Sequence, residues 1–236
     1  MDFEVSKYSH IGRREQNEDY AAILQIGSRL IVVVADGLGG LSFGEVASRK
    51  AVESIIKELS DKSVNEDDLL DAIESASDII YAVQMPGKPM STTASILWVD
   101  ETEAWAGHVG DTRIYKIRDG KILYQSIDHS VAQMNVLVGK LAPDQIRRSK
   151  DRNRLIRVLG EADAPMTDTE PLDIQIGDCF LLCTDGFWEP VSEDAMLETL
   201  ASANSPRDWL SRMRKIVENA NDPAQDNNTA VCVWVK

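Results

Sequence analysis

The sequence predicts an α+β fold, a four-layer α-β-β-α sandwich around a central antiparallel β-sandwich, and three observations carry this expectation. Short apolar or alternating runs of strand length crowd both ends of the 236-residue chain, two helical patterns sit together between them, and two more follow near the C-terminus. The composition, 43% hydrophobic and 27% charged, is that of a folded globular chain and excludes disordered and fibrous classes.

Strand patterns run over Tyr20 to Ile26, Leu30 to Ala35, Thr93 to Val99, Glu103 to Val109, Thr112 to Ile117, Leu172 to Ile176, Cys179 to Thr184 and Thr229 to Val235. Ser42 with Glu45 forms a capping box, and Ala47, Ala51, Ile55 and Leu59 follow it at helical spacing. A second helix starts near Asn65, carries Leu69, Ile73, Ala76, Ile80 and Val83 on one face, and stops before Pro86-Gly87. Ser192 before Glu193-Asp194 marks a third helix start, and Ser205-Pro206 a fourth, whose Trp209, Leu210, Met213, Ile216 and Val217 read as core. The polar stretch Val138 to Arg154 reads as an excursion from the sheet. No repeat or low-complexity linker divides the chain, so one domain over residues 1–236 is expected.

Charge and cysteine usage exclude several function classes. Twenty-five Lys and Arg against 39 Asp and Glu give a net charge of -14, which repels nucleic acid. No run reaches the roughly 18 uncharged residues of a membrane span, and the acidic start Met1 to Val5 lacks the form of a secretory signal, so a cytoplasmic monomer is expected. Cys179 and Cys183 would lie roughly 13 Å apart on a strand, beyond disulfide reach. With His10, His108 and His129 scattered and no Cys-x-x-Cys, zinc is a poor reading and the thiols are expected to be reduced and buried.

The informative feature is where the carboxylates stand. The apolar run Leu30 to Ala35 leads straight into Asp36-Gly37, Phe180 to Thr184 into Asp185-Gly186, and Glu103 to Val109 into Gly110-Asp111. Asp226 precedes the last strand and Glu18-Asp19 the first predicted one. A single Asp-Gly marks a turn. Repetition at strand ends instead suggests desolvated carboxylates that need a cation, and an all-oxygen ligand set favours Mg²⁺ or Mn²⁺ over zinc or copper. Arg14, close by in sequence, has the guanidinium fork that suits phosphate oxygens, although Arg13 beside it shows that surface arginines occur here anyway.

The segments Arg14 to Asp19, Val34 to Gly40, Gly44 to Ala47, Ser91 to Ala94, Val109 to Arg113, Cys183 to Gly186 and Asp226 to Thr229 resemble, in order, the motifs of the metal-dependent PPM family, the PP2C-type serine/threonine protein phosphatases. The likeness spans residues 10 to 235, and the Asp-Gly-Leu-Gly-Gly form is similar to bacterial members. The resemblance implies two Mn²⁺ or Mg²⁺ ions per chain with a third possible, and phosphorylated protein substrates placed opposite a serine/threonine kinase. Asp36 would bridge the two ions, Asp185 and Asp226 would complete the first site, and Glu18 with the Gly37 carbonyl the second. Asp19 would hold outer waters, Asp111 would join Asp185 at a third position, and Arg14 would grip the substrate phosphate.

Departures from the pattern are Leu38, where many eukaryotic relatives carry a proposed acid histidine, Ser91 in place of glycine, and Asn228 in place of an aliphatic residue. None removes a ligand. His129, in Asp128-His129-Ser130, also recurs in the family, with structural support favoured over catalysis. Gly186-Phe187-Trp188-Glu189 resembles a stretch of phosphatases associated with type VI secretion, and its aromatic pair reads equally as packing. A catalytically silent binding module is the alternative, but such modules lose a metal aspartate and this chain keeps Asp36, Asp185 and Asp226. An aspartyl-phosphate mechanism fails on spacing, since Gly37-Leu38 follows Asp36 where an Asp-x-Asp nucleophile motif is needed.

Overall fold

Both faces of the strand that carries Asp36 are dry, which explains why it reads as an unbroken apolar run. A computed structural model describes residues 1–39, 43–101 and 103–236. Its elements are β1 (Phe3–His10), β2 (Asp19–Ile26), β3 (Arg29–Leu38), α1 (Phe43–Leu59), α2 (Glu66–Ala82), β4 (Ser91–Thr92), β5 (Ala94–Val99), β6 (Ala104–Val109), β7 (Arg113–Arg118) and β8 (Lys121–Gln125). There follow α3 (Val131–Leu137), a 3-10 turn (Pro143–Arg148), β9 (Asp168–Pro171), β10 (Cys179–Cys183), α4 (Asp185–Trp188), α5 (Glu193–Ala201), α6 (Pro206–Asn219) and β11 (Asn228–Val235).

Two antiparallel sheets form, one in the order β1-β11-β10-β7-β8 and the other β2-β3-β5-β6-β9, with β4 pairing to β3. Side chains alternate along β3, so Leu30, Val32 and Val34 enter the apolar layer between the sheets while Ile31, Val33 and Ala35 enter the layer beneath α1 and α2. On β10, Phe180 and Leu182 face the other sheet, and Leu181 and Cys183 face Trp209, Leu210 and Met213 of α6. Three apolar layers therefore separate four layers of backbone, as the α-β-β-α expectation required. Each fully buried Leu, Val or Phe contributes roughly 1.5–3 kcal/mol.

The predicted caps hold where they can be seen. The Asn65 side chain accepts the Asp68 N–H at 2.8 Å, Ser192 accepts from Ala195 at 3.2 Å and Ser205 from Asp208 at 3.1 Å. Ser42 lies outside the described residues. Among those described, no helix is long and apolar enough to cross a membrane.

Three strand readings need correction. The Leu172 to Ile176 run is not a strand; the ladder to β6 occupies Asp168–Pro171, four residues earlier, and ends at the proline. Its alternation is nonetheless real as far as Gln175, since Leu172 and Ile174 pack between the sheets while Asp173 and Gln175 are exposed, and it lapses at Ile176, which is exposed. β3 continues through Asp36 to Leu38, because Gly37 and Leu38 pair with Thr92 and Ser91 of β4. The first strand of the chain is β1, whose pattern Phe-Glu-Val-Ser-Lys-Tyr-Ser-His alternates too weakly to be read without its partner β11. The cysteines are free as expected, but Cys179 is only half-buried.

Candidate metal centre

The carboxylates meet because the chain changes sheets at one end of the sandwich. The link from β1 to β2 carries Arg14 and Glu18, and the link from β6 to β7 carries Asp111; both cross from one sheet to the other. Asp36 stands directly across the β2–β3 ladder from Asp19. Asp185 follows β10 and Asp226 precedes β11, two neighbouring strands of the opposite sheet. Arg14, Glu18, Asp36, Gly37, Asp111, Asp185 and Asp226 line one cleft of about 570 Å³, together with Leu38, Asn153, Leu155 and Asn227. Asp19 sits behind them, 5% exposed, and accepts the Thr184 hydroxyl at 2.9 Å across the seam between the sheets.

Backbone proximity at this end depends on glycine. A Cβ on Gly37 would lie 2.1 Å from the Gly44 carbonyl oxygen, and one on Gly44 would lie 2.6 Å from a Glu18 carboxylate oxygen. This close approach brings the first turn of α1 onto Glu18, whose Oε1 accepts the Gly44 N–H at 3.2 Å while its carbonyl accepts from Ser48 Oγ at 2.5 Å.

Asp36 is held by its backbone. Its N–H donates to Thr93 Oγ1 at 2.9 Å, and its carbonyl accepts from Thr92 Oγ1 at 2.8 Å and from Thr93 N at 2.9 Å. Thr93 Oγ1 is 2.5 Å from Thr112 Oγ1, next to Asp111, so a pair of hydroxyls joins the two aspartate positions. Asn227 knits the early loop to the Asp226 turn: its side chain accepts the Glu18 N–H at 2.8 Å and donates to the carbonyls of Ile11 at 2.8 Å and Gln16 at 2.9 Å. Neither the threonine pair nor Asn227 stood out in the sequence beyond membership of a motif.

Burial dominates the electrostatics. It pushes the Asp19 carboxyl up to about 8 and that of Asp185 up to about 7, with Glu189 and Asp226 adding repulsion on Asp185. Asp36 and Asp111 are held well above the carboxylate range, first by desolvation and then by the neighbouring aspartates, and Glu18 is raised by burial as well. One oxygen each of Asp19 and Asp185 is buried with no hydrogen-bond partner. Arg14 is the only cation among the described residues lining the cleft; its Nη2 lies 2.7 Å from Asp226 Oδ2 and its side chain is 56% exposed. A hard divalent cation fits this donor set, since it supplies the missing positive charge and accepts only oxygen ligands.

The family model for protein phosphatase 2C matches residues 7–228. The chain belongs to this family. It is 32% identical over 193 residues to the serine/threonine protein phosphatase PstP of Mycobacterium tuberculosis, a match covering 79% of this chain and 36% of PstP, so the chain spans about a third of that relative. Protein phosphatase PhpP of Streptococcus pneumoniae is 26% identical over 239 residues, covering 98% of this chain and 96% of PhpP. The fold superposes with a TM-score of 0.84 on the catalytic domain of PstP in complex with two manganese ions, at 26% identity and covering 99% of each chain. PP2C-type phosphatases are metal dependent, and the all-oxygen cleft agrees with that.

The structure puts the aromatic pair of the Gly186-Phe187-Trp188-Glu189 stretch in the core. Phe187 and Trp188 are buried; the Trp188 indole donates to the Asp111 carbonyl at 2.9 Å, and the Arg113 guanidinium lies 3.5 Å from its ring centroid. Arg113 is in turn fixed by both oxygens of Asp128, at 2.8 and 2.7 Å. The stretch that resembles the type VI secretion-associated phosphatases thus has a packing role whichever pathway the protein serves.

Proposed function

We propose that this chain hydrolyses phosphoserine and phosphothreonine in proteins, with water attacking phosphorus directly. The observation that carries the reading is the convergence of Glu18, Asp36, Asp111, Asp185 and Asp226 on one cleft, with Arg14 as the one cation among the described residues that line it. Asp36 as the bridging ligand, Asp185 and Asp226 on one side, and Glu18 with the Gly37 carbonyl on the other would hold two Mn²⁺ or Mg²⁺ ions. When bound, such a pair supplies an activated water and neutralises phosphoryl charge.

The chain's own groups then have separate tasks. Asp19, anchored by Thr184, orients outer-sphere water. Arg14 leaves Asp226 and forks onto the substrate phosphate; its exposure permits the swing. Asp111 with Asp185 offers a weaker third position. Leu38 lines the cleft and has no proton to give, so the leaving alkoxide takes its proton from water. A cognate kinase, a monomeric state and a cytoplasmic setting complete the proposal.

Release of inorganic phosphate from a phosphothreonine peptide, followed with and without Mn²⁺, tests it. Activity should vanish on exhaustive chelation and return on adding metal. Full turnover in protein verified to be metal-free would overturn the reading, and a correctly loaded protein without turnover would favour the silent binding module.

A further inference from the structure

Behind Asp111 lies a second group of ionisable side chains that phosphate hydrolysis does not use. His108 and His129, 21 residues apart in the chain, are both buried and stack with ring centroids 4.6 Å apart. One potential ligand atom from each, and one from Asp168, fall within 4.8 Å of one another. A metal site would need free lone pairs on both rings, and the hydrogen bonding denies this. His129 Nδ1 accepts the Gly110 N–H at 3.1 Å, which leaves the ring proton on Nε2, an atom that faces both Asp168 Oδ2 at 3.2 Å and Arg157 Nη1 at 3.1 Å. Asp168 is meanwhile neutralised by Arg157 at 2.7 Å. His108 donates through Nε2 to the Ile127 carbonyl at 2.9 Å, and its bare Nδ1 is a single donor atom.

What His129 does hold is Gly110. Besides the ring contact, the His129 N–H donates to the Gly110 carbonyl at 2.8 Å, so one residue grips both polar groups of that glycine. Gly110 has φ +99°, and a Cβ there would lie 2.5 Å from Thr93 Cγ2, on the residue that accepts the Asp36 N–H. The turn delivering Asp111 is therefore wedged between Thr93 and His129. On its other side, the His129 carbonyl accepts the Ile156 N–H at 2.9 Å, at the end of the segment whose Asn153 and Leu155 line the cleft.

We propose that His129 is a positioning residue that sets the Gly110–Asp111 turn, and through it the weaker cation position of Asp111 and Asp185, and that couples this position to the substrate-facing segment around Asn153. The inference rests on the reading of Asp111 as a ligand. Burial and the neighbouring His108 hold the His129 ring down to about 4, so it stays neutral, and able to accept from Gly110, throughout the physiological range.

The test uses the full chain with His129→Ala, His129→Asn and His129→Gln, and Asp111→Asn as control. Asn places an acceptor where Nδ1 stands, whereas Gln reaches only the Nε2 position. Two readouts are taken: amide hydrogen exchange of Gly110 in metal-free protein, and Mn²⁺ binding isotherms resolved into tight and weak classes. His129→Ala should speed Gly110 exchange and weaken the weak class by about tenfold each, leaving the tight class within about twofold, and His129→Asn should restore most of both. If Asp111→Asn removes the weak class but His129→Ala leaves it unchanged, the positioning role is wrong and the Asp111 reading stands. If Asp111→Asn leaves the weak class intact, the Asp111 reading itself fails and takes the inference with it. Should the alanine variant not fold, equal Gly110 exchange in the Asn and Gln variants overturns the proposal.

Discussion

Metal binding to this protein should expel protons, because the carboxyls at its cleft are buried and held above their ordinary range. At pH 7 the Asp185 carboxyl, pushed up to about 7, is half protonated, and Asp36 is raised in the same direction, first by desolvation and then by the neighbouring aspartates. Seating a cation on Asp185 therefore releases about half a proton, and more as Asp36 and Asp19 are emptied as well. Affinity should then rise at least about threefold, or about 0.7 kcal/mol, for each unit of pH near neutrality. The sign for the metal-free fold is opposite. Carboxyls raised in the folded state stabilise it fully below their unfolded pKa of about 4, and that contribution is lost as pH climbs through about 7 to 8. Calorimetric titration with Mn²⁺ in buffers of different ionisation enthalpy, at pH 6.5 and 7.5, reads the proton count directly. An affinity independent of pH, with the same heat in every buffer, would refute the desolvated-cluster account.

Other perturbations probe single residues. Asp36→Asn or Asp185→Asn should lower kcat more than tenfold, a loss above about 1.4 kcal/mol, while the melting temperature of the metal-free protein at pH 8 rises by several degrees because a buried acid no longer has to ionise; a variant retaining a tenth of turnover would contradict the ligand assignment. Arg14→Ala should raise KM for a phosphopeptide more than it lowers kcat, since a guanidinium on phosphate acts before and during the transition state; an unchanged KM makes Arg14 a surface residue. Thr93→Val removes the acceptor for the Asp36 N–H and the partner of Thr112, and should cost roughly tenfold in kcat, with Thr93→Ser restoring it; equal activity of the two variants would show that the hydroxyl is dispensable.

Much of this was legible in the sequence because the relevant signals are local. An apolar run closed by Asp-Gly announces a buried strand with a carboxylate at its mouth, and Asn65, Ser192 and Ser205 announce helix starts through contacts three residues away. What depends on register was not legible. Nothing in Asp19 or Asp36 alone says that they face each other across a ladder, and the Thr93–Thr112 contact joins the residues just before β5 and β7, whose offset only the folded sheets define. The histidines looked scattered for the same reason: His108 and His129 become neighbours only when the chain crosses between sheets. β1 and β8 hid because edge strands carry polar residues on a half-wet face, and Leu172 to Ile176 misled because its alternation marks packing without a partner ladder.

The cleft also has a mechanical consequence. Its acidic residues come from both sheets, and the Asp19–Thr184 and Thr93–Thr112 contacts span the same gap. Cations seated among Asp36, Asp185 and Asp226 would act as a clasp at the open edge of the sandwich, whereas the interior between the sheets is sealed by side chains such as Val32, Phe180 and Val231. On the proposed ligand assignment, stripping the ions would leave that interior intact but remove the clasp at one end. On that assignment the same atoms would set both catalytic competence and the rigidity of this edge.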